Sequence, residues 1–319
     1  MDYTNNETFA MLFGLILGDG WLSKNHREGY KENTFVYHIG VAASECDLHI
    51  IRNDCIALFG DIGKAKITTK TTCSHKYGIS GTTSSFVMNT RVAKIFEEYG
   101  MPTGSRVEKE FLLPDWLVEA PGNIKRAFIS GLYAAEGDNP IFQKNDKTLK
   151  APSFVLTKVK SLSKNFQSLV SQISGILKSI GIEHTLFVRE NFTKYEKISV
   201  EFVLSNNVDN ISYFTSCLDL KYCQAKKNRF LQIHEYYKIR QAHLEHRRKA
   251  YDYTMSHKAE RVSDIAKRFG LSWSVVGGWR KGKRTTPSSS RVSLQKFSDF
   301  ITSSPIKNPL NGEKLPARS

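Results

Sequence analysis

Two carboxylates, Asp19 and Glu136, each close a short segment of one pattern. The first segment reads Leu12-Phe13-Gly14-Leu15-Ile16-Leu17-Gly18-Asp19-Gly20. The second, 117 residues on, reads Ile129-Ser130-Gly131-Leu132-Tyr133-Ala134-Ala135-Glu136-Gly137. Each runs apolar, small, apolar, small, one acid, then glycine. Residues four apart share a helix face, so Gly14 pairs with Gly18 and Gly131 with Ala135. Small faces let two backbones approach closely. A mid-helix glycine costs about 1 kcal/mol against alanine, which makes sense if the face meets a partner. Asp19 and Glu136 then end two adjacent helices, with Gly20 and Gly137 expected as left-handed caps. A carboxylate at a helix C-terminus meets the negative end of the dipole, and two side by side repel. A divalent cation turns that liability into a site. The two carboxylates, with Gly18 and Ala135 as further oxygen ligands, suit Mg²⁺, with Mn²⁺ as a substitute. The chemistry of such a centre is phosphodiester hydrolysis.

These segments resemble the LAGLIDADG homing endonucleases of the single-chain, two-motif type, most closely over Phe128-Ile129-Ser130-Gly131-Leu132-Tyr133-Ala134-Ala135-Glu136-Gly137-Asp138. The resemblance covers roughly residues 5–220. It implies an α/β fold of two pseudo-symmetric αββαββα halves, whose sheets form a saddle over DNA around a central helix pair. It also implies metal-dependent double-strand cleavage across the minor groove, leaving short 3′ overhangs. Family members often carry a lysine at a strand end beside the metals. In the second half Leu156-Thr157-Lys158 occupies that place, so Lys158 is the candidate catalytic base-side cation, or else a solvated strand-end charge. The first-half stretch Val41-Ala42-Ala43-Ser44 has no lysine, and unequal nicking of the two strands is the expected consequence.

The elements that must position these residues follow the same repeat. Strand-like runs at 34–43 and 65–87 bracket a helical pattern at 45–59, and another helix follows at 86–99. Runs at 152–158 and 184–204 bracket a helix at 161–180 that ends at Gly181. The stretch 101–124, with Pro102, Pro114, Pro121 and Gly122, reads as the linker between halves. A strand of about 10 residues spans about 33 Å, close to ten base pairs, so two halves cover roughly 20. Unlike halves point to a non-palindromic target and a monomer. Candidate base or phosphate readers are Lys24, Asn25, Arg27, Tyr37, Lys70, Gln143, Arg189 and Lys194.

Charge is unevenly placed. Of the net +15, residues 1–220 contribute nothing, with 24 basic and 24 acidic residues, while 221–296 hold 19 basic and 5 acidic. A basic third on a neutral two-thirds suggests an anchor for nucleic acid, weakened by salt. Within it, 262–284 reads Val-Ser-Asp-Ile-Ala-Lys-Arg-Phe-Gly-Leu-Ser-Trp-Ser-Val-Val-Gly-Gly-Trp-Arg-Lys-Gly-Lys-Arg, a helix-turn-helix pattern. Ala266 permits close crossing, Gly270 makes the turn, and Ile265, Phe269, Leu271, Val276 and Trp279 form the core. The second helix, from about Ser272, would enter a major groove with early residues such as Ser272 and Ser274. Arg280, Lys281, Lys283 and Arg284 would face phosphates. The stretch from Lys226 to Lys249 reads as a long basic helix joining the modules. Gly277-x4-Gly282-Lys283 nearly spells a phosphate loop, but Arg284 follows where Ser or Thr is needed. His243 and His246, three apart, are a weak metal pair beside a basic run.

The expected organisation is a first half at 1–100, a linker at 101–124, a second half at 125–220, a basic connector at 221–253, a helix-turn-helix domain at 254–302 and a tail at 303–319. No 18-residue apolar run is present, and the first residues carry no basic leader. The five cysteines, Cys46, Cys55, Cys73, Cys217 and Cys223, form no C-x-x-C pair and read as reduced thiols of an intracellular protein located with host DNA. The chain lacks a Cys or Ser start and a His-Asn end, so an intron-encoded or free-standing enzyme is expected rather than an intact intein. Two other readings remain. One is a regulator of the sporulation type, which joins a LAGLIDADG-like domain to a helix-turn-helix but has lost the acids retained here. The other is a maturase that grips intron RNA.

Overall fold

A computed structural model describes residues 2–26, 35–64, 66–74, 79–144, 149–191, 196–284, 287 and 296–303. It is a mixed α/β chain with two antiparallel sheets, and it packs as two compact units. The first comprises Met1–Pro140, Ala151–Ser205 and Tyr213–Phe230. The second comprises Ile141–Lys150, Asn206–Ser212 and Leu231–Ser319.

The first unit opens with α1 (Glu7–Asp19), then β1 (Gly20–His26), β2 (Phe35–Ala43), α2 (Glu45–Phe59), β3 (Lys66–Ser74), β4 (Ile79–Met88) and α3 (Thr90–Glu98). This is the expected αββαββα order. Its caps are local: the Asn6, Ser44 and Asn89 side chains accept from the first-turn N–H groups of α1, α2 and α3. After a short α4 (Asp115–Val118) come α5 (Gly122–Glu136), β5 (Ser153–Val159), α6 (Ser163–Ser179), β6 (His184–Asn191), β7 (Lys197–Leu204) and α7 (Val208–Cys217). Among the described residues, no strand stands between α5 and β5 in the second half. Sheet order is β1-β2-β4-β3 in one half and β5-β7-β6 in the other. In the described stretch after α5 stand two isolated bridges, Gly137↔Phe154 and Phe142↔Leu149. Pro140 has no N–H to give a ladder, and the chain from Ile141 to Lys150 belongs to the other unit.

The core of the first unit is one apolar cluster built on α1 and α5. An aromatic group around Phe9, Phe13, Phe96 and Trp116 surrounds the start of α1, with Phe9 and Phe96 stacked at 4.9 Å. The linker is not loose. Phe111 N–H and Leu113 N–H donate to the side chains of Asn165 and Gln172 on α6 at 3.2 and 2.8 Å.

In the second unit, α8 (Gln224–Ser256) supplies residues from Leu231 onward, followed by α9 (Val262–Arg268), α10 (Trp273–Arg280) and α11 (Phe297–Ser303). One core gathers Leu149, Ile211, Ile233, Tyr236 and Phe297, with Phe142 stacked on Phe297 at 4.1 Å. Another gathers Ala250, Ile265, Ala266, Val276 and Trp279, with Phe269 and Leu271 at its edge, as the sequence pattern anticipates. Gly270 makes the turn between α9 and α10 at φ +59°, where a side chain would be strained. The His246 ring bonds the Phe269 carbonyl at 2.9 Å, which is a structural use rather than a metal one. No helix of the described residues is long and apolar enough to cross a membrane.

Candidate active site

The two small faces interlock. A Cβ on Gly14 would sit against the Phe128 carbonyl oxygen and 2.8 Å from Leu132 N. A Cβ on Gly131 would sit against the Met11 carbonyl oxygen and 2.8 Å from Leu15 N. These reciprocal clashes are with backbone, which cannot swing aside, so only glycine permits this crossing. One turn on, a Cβ on Gly18 would press on the Ala135 Cβ and lie 3.2 Å from Glu136 Cγ. The crossing thus brings Asp19 and Glu136, the last residues of α1 and α5, to one place.

The expected left-handed caps do not occur. Gly20 has φ −87° and Gly137 φ −69°, both running straight into extended chain. Glycine is needed there for space: a Cβ on Gly20 would meet Ile16 Cα at 2.6 Å, and one on Gly137 would meet the Tyr133 carbonyl oxygen at 2.5 Å.

Two cations close the helix ends: Arg106, which no sequence pattern marked, and Lys226, which stood out only as the start of the basic stretch. The Arg106 guanidinium donates to the carbonyls of Ile16 at 2.5 Å, Gly20 at 2.6 Å and Leu17. These carbonyls lie at the negative end of the α1 dipole, and the Ile16 carbonyl also accepts from Gly20 N–H. Lys226 Nζ donates to the carbonyls of Ala134 at 2.8 Å, Tyr133 at 3.3 Å and Ala135 at 3.4 Å, at the end of α5. Arg106 follows Asp19 by 87 positions and Lys226 follows Glu136 by 90. Each half therefore carries an acid, and a cation at a similar distance downstream, in the segment after that half, caps the acid's own helix. That spacing is the signal that could have found the pair. Lys226 stands in the first turn of α8, the long helix expected from the basic stretch, and its ammonium also serves the end of α5.

Both cations are held by their surroundings. Gly104 N–H donates to the Leu22 carbonyl of β1, and Val159 N–H at the end of β5 donates to the Val107 carbonyl, so the segment bearing Arg106 is tied to both sheets. Lys158, only 1% exposed, gives its ammonium to the carbonyls of Arg106 at 3.2 Å and of Lys109, with the Phe111 ring 4.2 Å away. Burial lowers its pKa. The ammonium of Lys158 thus contacts the segment that carries Arg106, and it is buried rather than a solvated strand-end charge. Near Lys226, Gln224 N–H donates to Asp47 at 2.9 Å, and Tyr222 Oη donates to Asp54 at 2.7 Å.

The electrostatics follow. Glu136 is half-buried and Asp19 exposed. Burial raises the Glu136 pKa, and the neighbouring Asp19 charge raises it further, while Arg106 and Lys226 pull it back. Burial lowers the Arg106 pKa, opposed by Glu136 and Asp19. A cleft of about 160 Å³ lies alongside, with Gly18, Arg106, Glu136 and Lys158 in its wall. Among the described residues no third His, Cys, Asp or Glu joins the acids into a ligand cluster. A pair of hard oxygen donors with net repulsion fits a hydrated hard cation that keeps several waters.

The strand residues divide by parity. Asn25 of β1 and Arg189 of β6 lie on the open sheet faces, Arg189 in an ion pair with Glu201 of β7. Lys24 and Tyr37 do not. They pair directly across β1 and β2 and share the helix-covered face of Leu22 and Ile39, where Lys24 Nζ meets Glu97 of α3 at 2.9 Å. Gln143 is exposed but belongs to the second unit. Lys70 sits opposite Thr83 in β3, with its side chain outside the described part. Arg27 and Lys194 lie outside the described residues. Overlooked on the open faces are Trp21, whose indole covers the bare Gly40, and the row Val155, Glu201 and Phe187 across three strands.

In the second unit, Ser272 stands just before α10, its hydroxyl turned to that of Ser274 at 3.1 Å rather than to a first-turn N–H. Lys281, Lys283 and Arg284 are exposed. Arg280 is not available to phosphates as expected: its guanidinium donates to the carbonyls of Glu260 at 2.6 Å and His257 at 3.1 Å.

No protein-family model matches the chain. It is 26% identical over 264 residues to the tRNA-splicing ligase RtcB of Methanopyrus kandleri, covering 82% of this chain and 25% of that protein. It is 25% identical over 241 residues to the replication factor C small subunit of Methanocaldococcus jannaschii, covering 74% of this chain and 12% of that protein. The chain thus spans a quarter or less of the curated relatives it matches. Among solved structures it is similar to mesophilic variants of the homing endonuclease I-DmoI, at 20% identity and TM-score 0.43, over 68% of this chain and 91% of that one.

Proposed function

We propose that the chain is a site-specific DNA endonuclease of the LAGLIDADG type, which makes a metal-dependent staggered double-strand break in a non-palindromic target of roughly 20 base pairs. The observation that carries this is the carboxylate pair at the ends of two interlocked helices, each end capped by a cation from the segment that follows its half. A structural helix crossing needs neither acid, and placing both at negative dipole ends costs stability. Asp19 and Glu136, with the Gly18 and Ala135 carbonyls beside them, would hold Mg²⁺ or Mn²⁺. Such an ion supplies Lewis acidity and a water of lowered pKa.

The chain's own residues do the rest. Asp19 and Glu136 orient whatever binds between the helix ends. Arg106 and Lys226 offset the dipole ends and stand ready for negative charge developing on a phosphate. Lys158 keeps the Arg106 segment in place. The open faces, with Asn25, Trp21, Arg189, Glu201 and Phe187, would follow a groove. With both halves in one chain, a monomer suffices. The α9–α10 pair of the second unit would act as a helix-turn-helix, adding contacts through Ser272, Ser274, Lys281, Lys283 and Arg284. Residues 1–100 and 125–220 would be the two catalytic halves, encoded within an intron or free-standing, and acting on DNA inside the cell.

The ligase and replication factor matches name activities other than DNA cleavage, and the chain covers 25% and 12% of those proteins. One stretch of chain aligns with a minor part of two proteins of unrelated activity, which supports a module carrying an activity of its own rather than either of theirs. The test is cleavage of a randomised duplex library with Mg²⁺ or EDTA, alongside Asp19→Asn and Glu136→Gln. Discrete staggered ends that need the metal and both acids are expected. Sequence-specific binding with no cleavage in any metal would replace this reading with a regulator, and preference for RNA with a maturase.

A further inference from the structure

We propose that Trp273 and Gly277 form the sequence-reading face of the second unit, with Trp273 set against base edges in the major groove of duplex DNA. This rests on the nucleic-acid reading above and adds the residues that read. Trp273 is 72% exposed, the most of any large apolar side chain among the described residues. On the same eight-residue helix, Trp279 is 3% exposed and fills the core. One tryptophan satisfies the fold, and the other holds its indole out in water.

Gly277 lies one turn further along the face of Trp273, since residues four apart share a face. A Cβ there would meet only Val262 Cγ1, at 3.7 Å, an ordinary contact. The unit's own packing therefore does not demand glycine, although glycine weakens a helix interior. A projecting aromatic with a bare patch one turn away is a knob beside a clearance, and it suits a surface that approaches the helix closely.

Charge identifies that surface. Residues 257–284 hold eight Lys and Arg against two Asp and Glu. Lys281, Lys283 and Arg284 are exposed at the end of the same helix, and Ser272 and Ser274, the chain neighbours of Trp273, are exposed with it. Such a face fits a polyanion. An α-helix fits a major groove, where an apolar side chain reads the thymine methyl and hydroxyls read neighbouring edges. The exposed basic residues then hold phosphates and fix the register.

The test is selection of the full chain on a randomised 40-base-pair duplex pool in EDTA, with an RNA pool in parallel. The unsubstituted chain should enrich a long duplex motif. Trp273→Ala should lose one block of about three or four positions within it, keep the rest, and melt at the same temperature. Replacing thymine by uracil in that block should weaken the unsubstituted chain and leave Trp273→Ala unaffected. Gly277→Ala should melt higher yet bind the motif several-fold more weakly, a split that a purely structural role does not produce. Lys281→Ala with Lys283→Ala should weaken all sequences alike and lower the salt slope by about 2. Full enrichment at unchanged affinity by Trp273→Ala and Gly277→Ala overturns this proposal alone. Enrichment of RNA only, or of nothing by the unsubstituted chain, overturns it together with the nuclease reading.

Discussion

The two halves of the first unit agree where backbone meets backbone and part company elsewhere. Gly14 and Gly131 make mirror-image contacts, and Arg106 and Lys226 cap equivalent helix ends. Around that shared centre, the first half completes a four-stranded sheet and the second, among the described residues, pairs three strands. After Asp19 and Gly20 comes Trp21, packed over Gly40. After Glu136 and Gly137 comes Asp138, which accepts from Ser153 at 2.6 Å, while the same hydroxyl lies 2.9 Å from Glu201. Symmetry is kept where the helix crossing leaves no freedom. It is lost where a strand has only to cover the core, because coverage can be met in several ways.

The largest effect tests whether the halves form one centre. Asp19→Asn and Glu136→Gln should each slow cleavage by about 10³-fold, worth about 4 kcal/mol. If either retains near-full rate on both strands, the halves act separately. The same variants should differ in stability. Glu136 has a raised pKa, so its ionised form is disfavoured in the fold. That penalty is absent below the unfolded carboxylate range and develops as pH rises through it. Glu136→Gln should therefore raise Tm at pH 7 and lose that advantage near pH 4, whereas Asp19, the exposed member, should gain less on neutralisation.

Next, Gly131→Ala should destabilise by about 3 kcal/mol, since overpacking here must move the backbone of α1. Gly14→Ala should match it, and a mild effect in either would show that the crossing is looser on that side.

A smaller effect separates the two cations. Arg106→Met should move the acidic limb of the cleavage pH profile upward, because Arg106 lowers the Glu136 pKa more than Lys226 does. Lys226→Met should move it in the same direction by less. The reverse order would transfer the dominant counter-charge to the second half. Smallest is a control on glycine itself. Gly175, inside α6, has open space at its Cβ, so Gly175→Ala should stabilise by about 1 kcal/mol or less in thermal melts.

Much of this was legible in the chain. The small faces, the acids at the helix ends and the alternation of β2, β4, β5 and β7 are local patterns. The core of α9 and α10 is another. Three things were not. β1 reads Gly-Trp-Leu-Ser-Lys-Asn-His, a weak strand sequence that exists because β2 pairs with all seven residues. Lys24 and Tyr37 looked like groove readers until the helices showed which sheet face they cover. Lys158 matched a family position, yet its ammonium is used by backbone carbonyls that the linker brings to it.

The sequence by itself therefore determined that two helices must meet on glycine faces and end in carboxylates, since helical spacing and side-chain volume are properties of neighbouring residues. Only the tertiary structure decided which cations serve those carboxylates, which strand faces stay open, and that the second sheet pairs three strands among the described residues. Those outcomes depend on groups about 90 positions apart arriving at the same helix ends, and no local period encodes such a meeting.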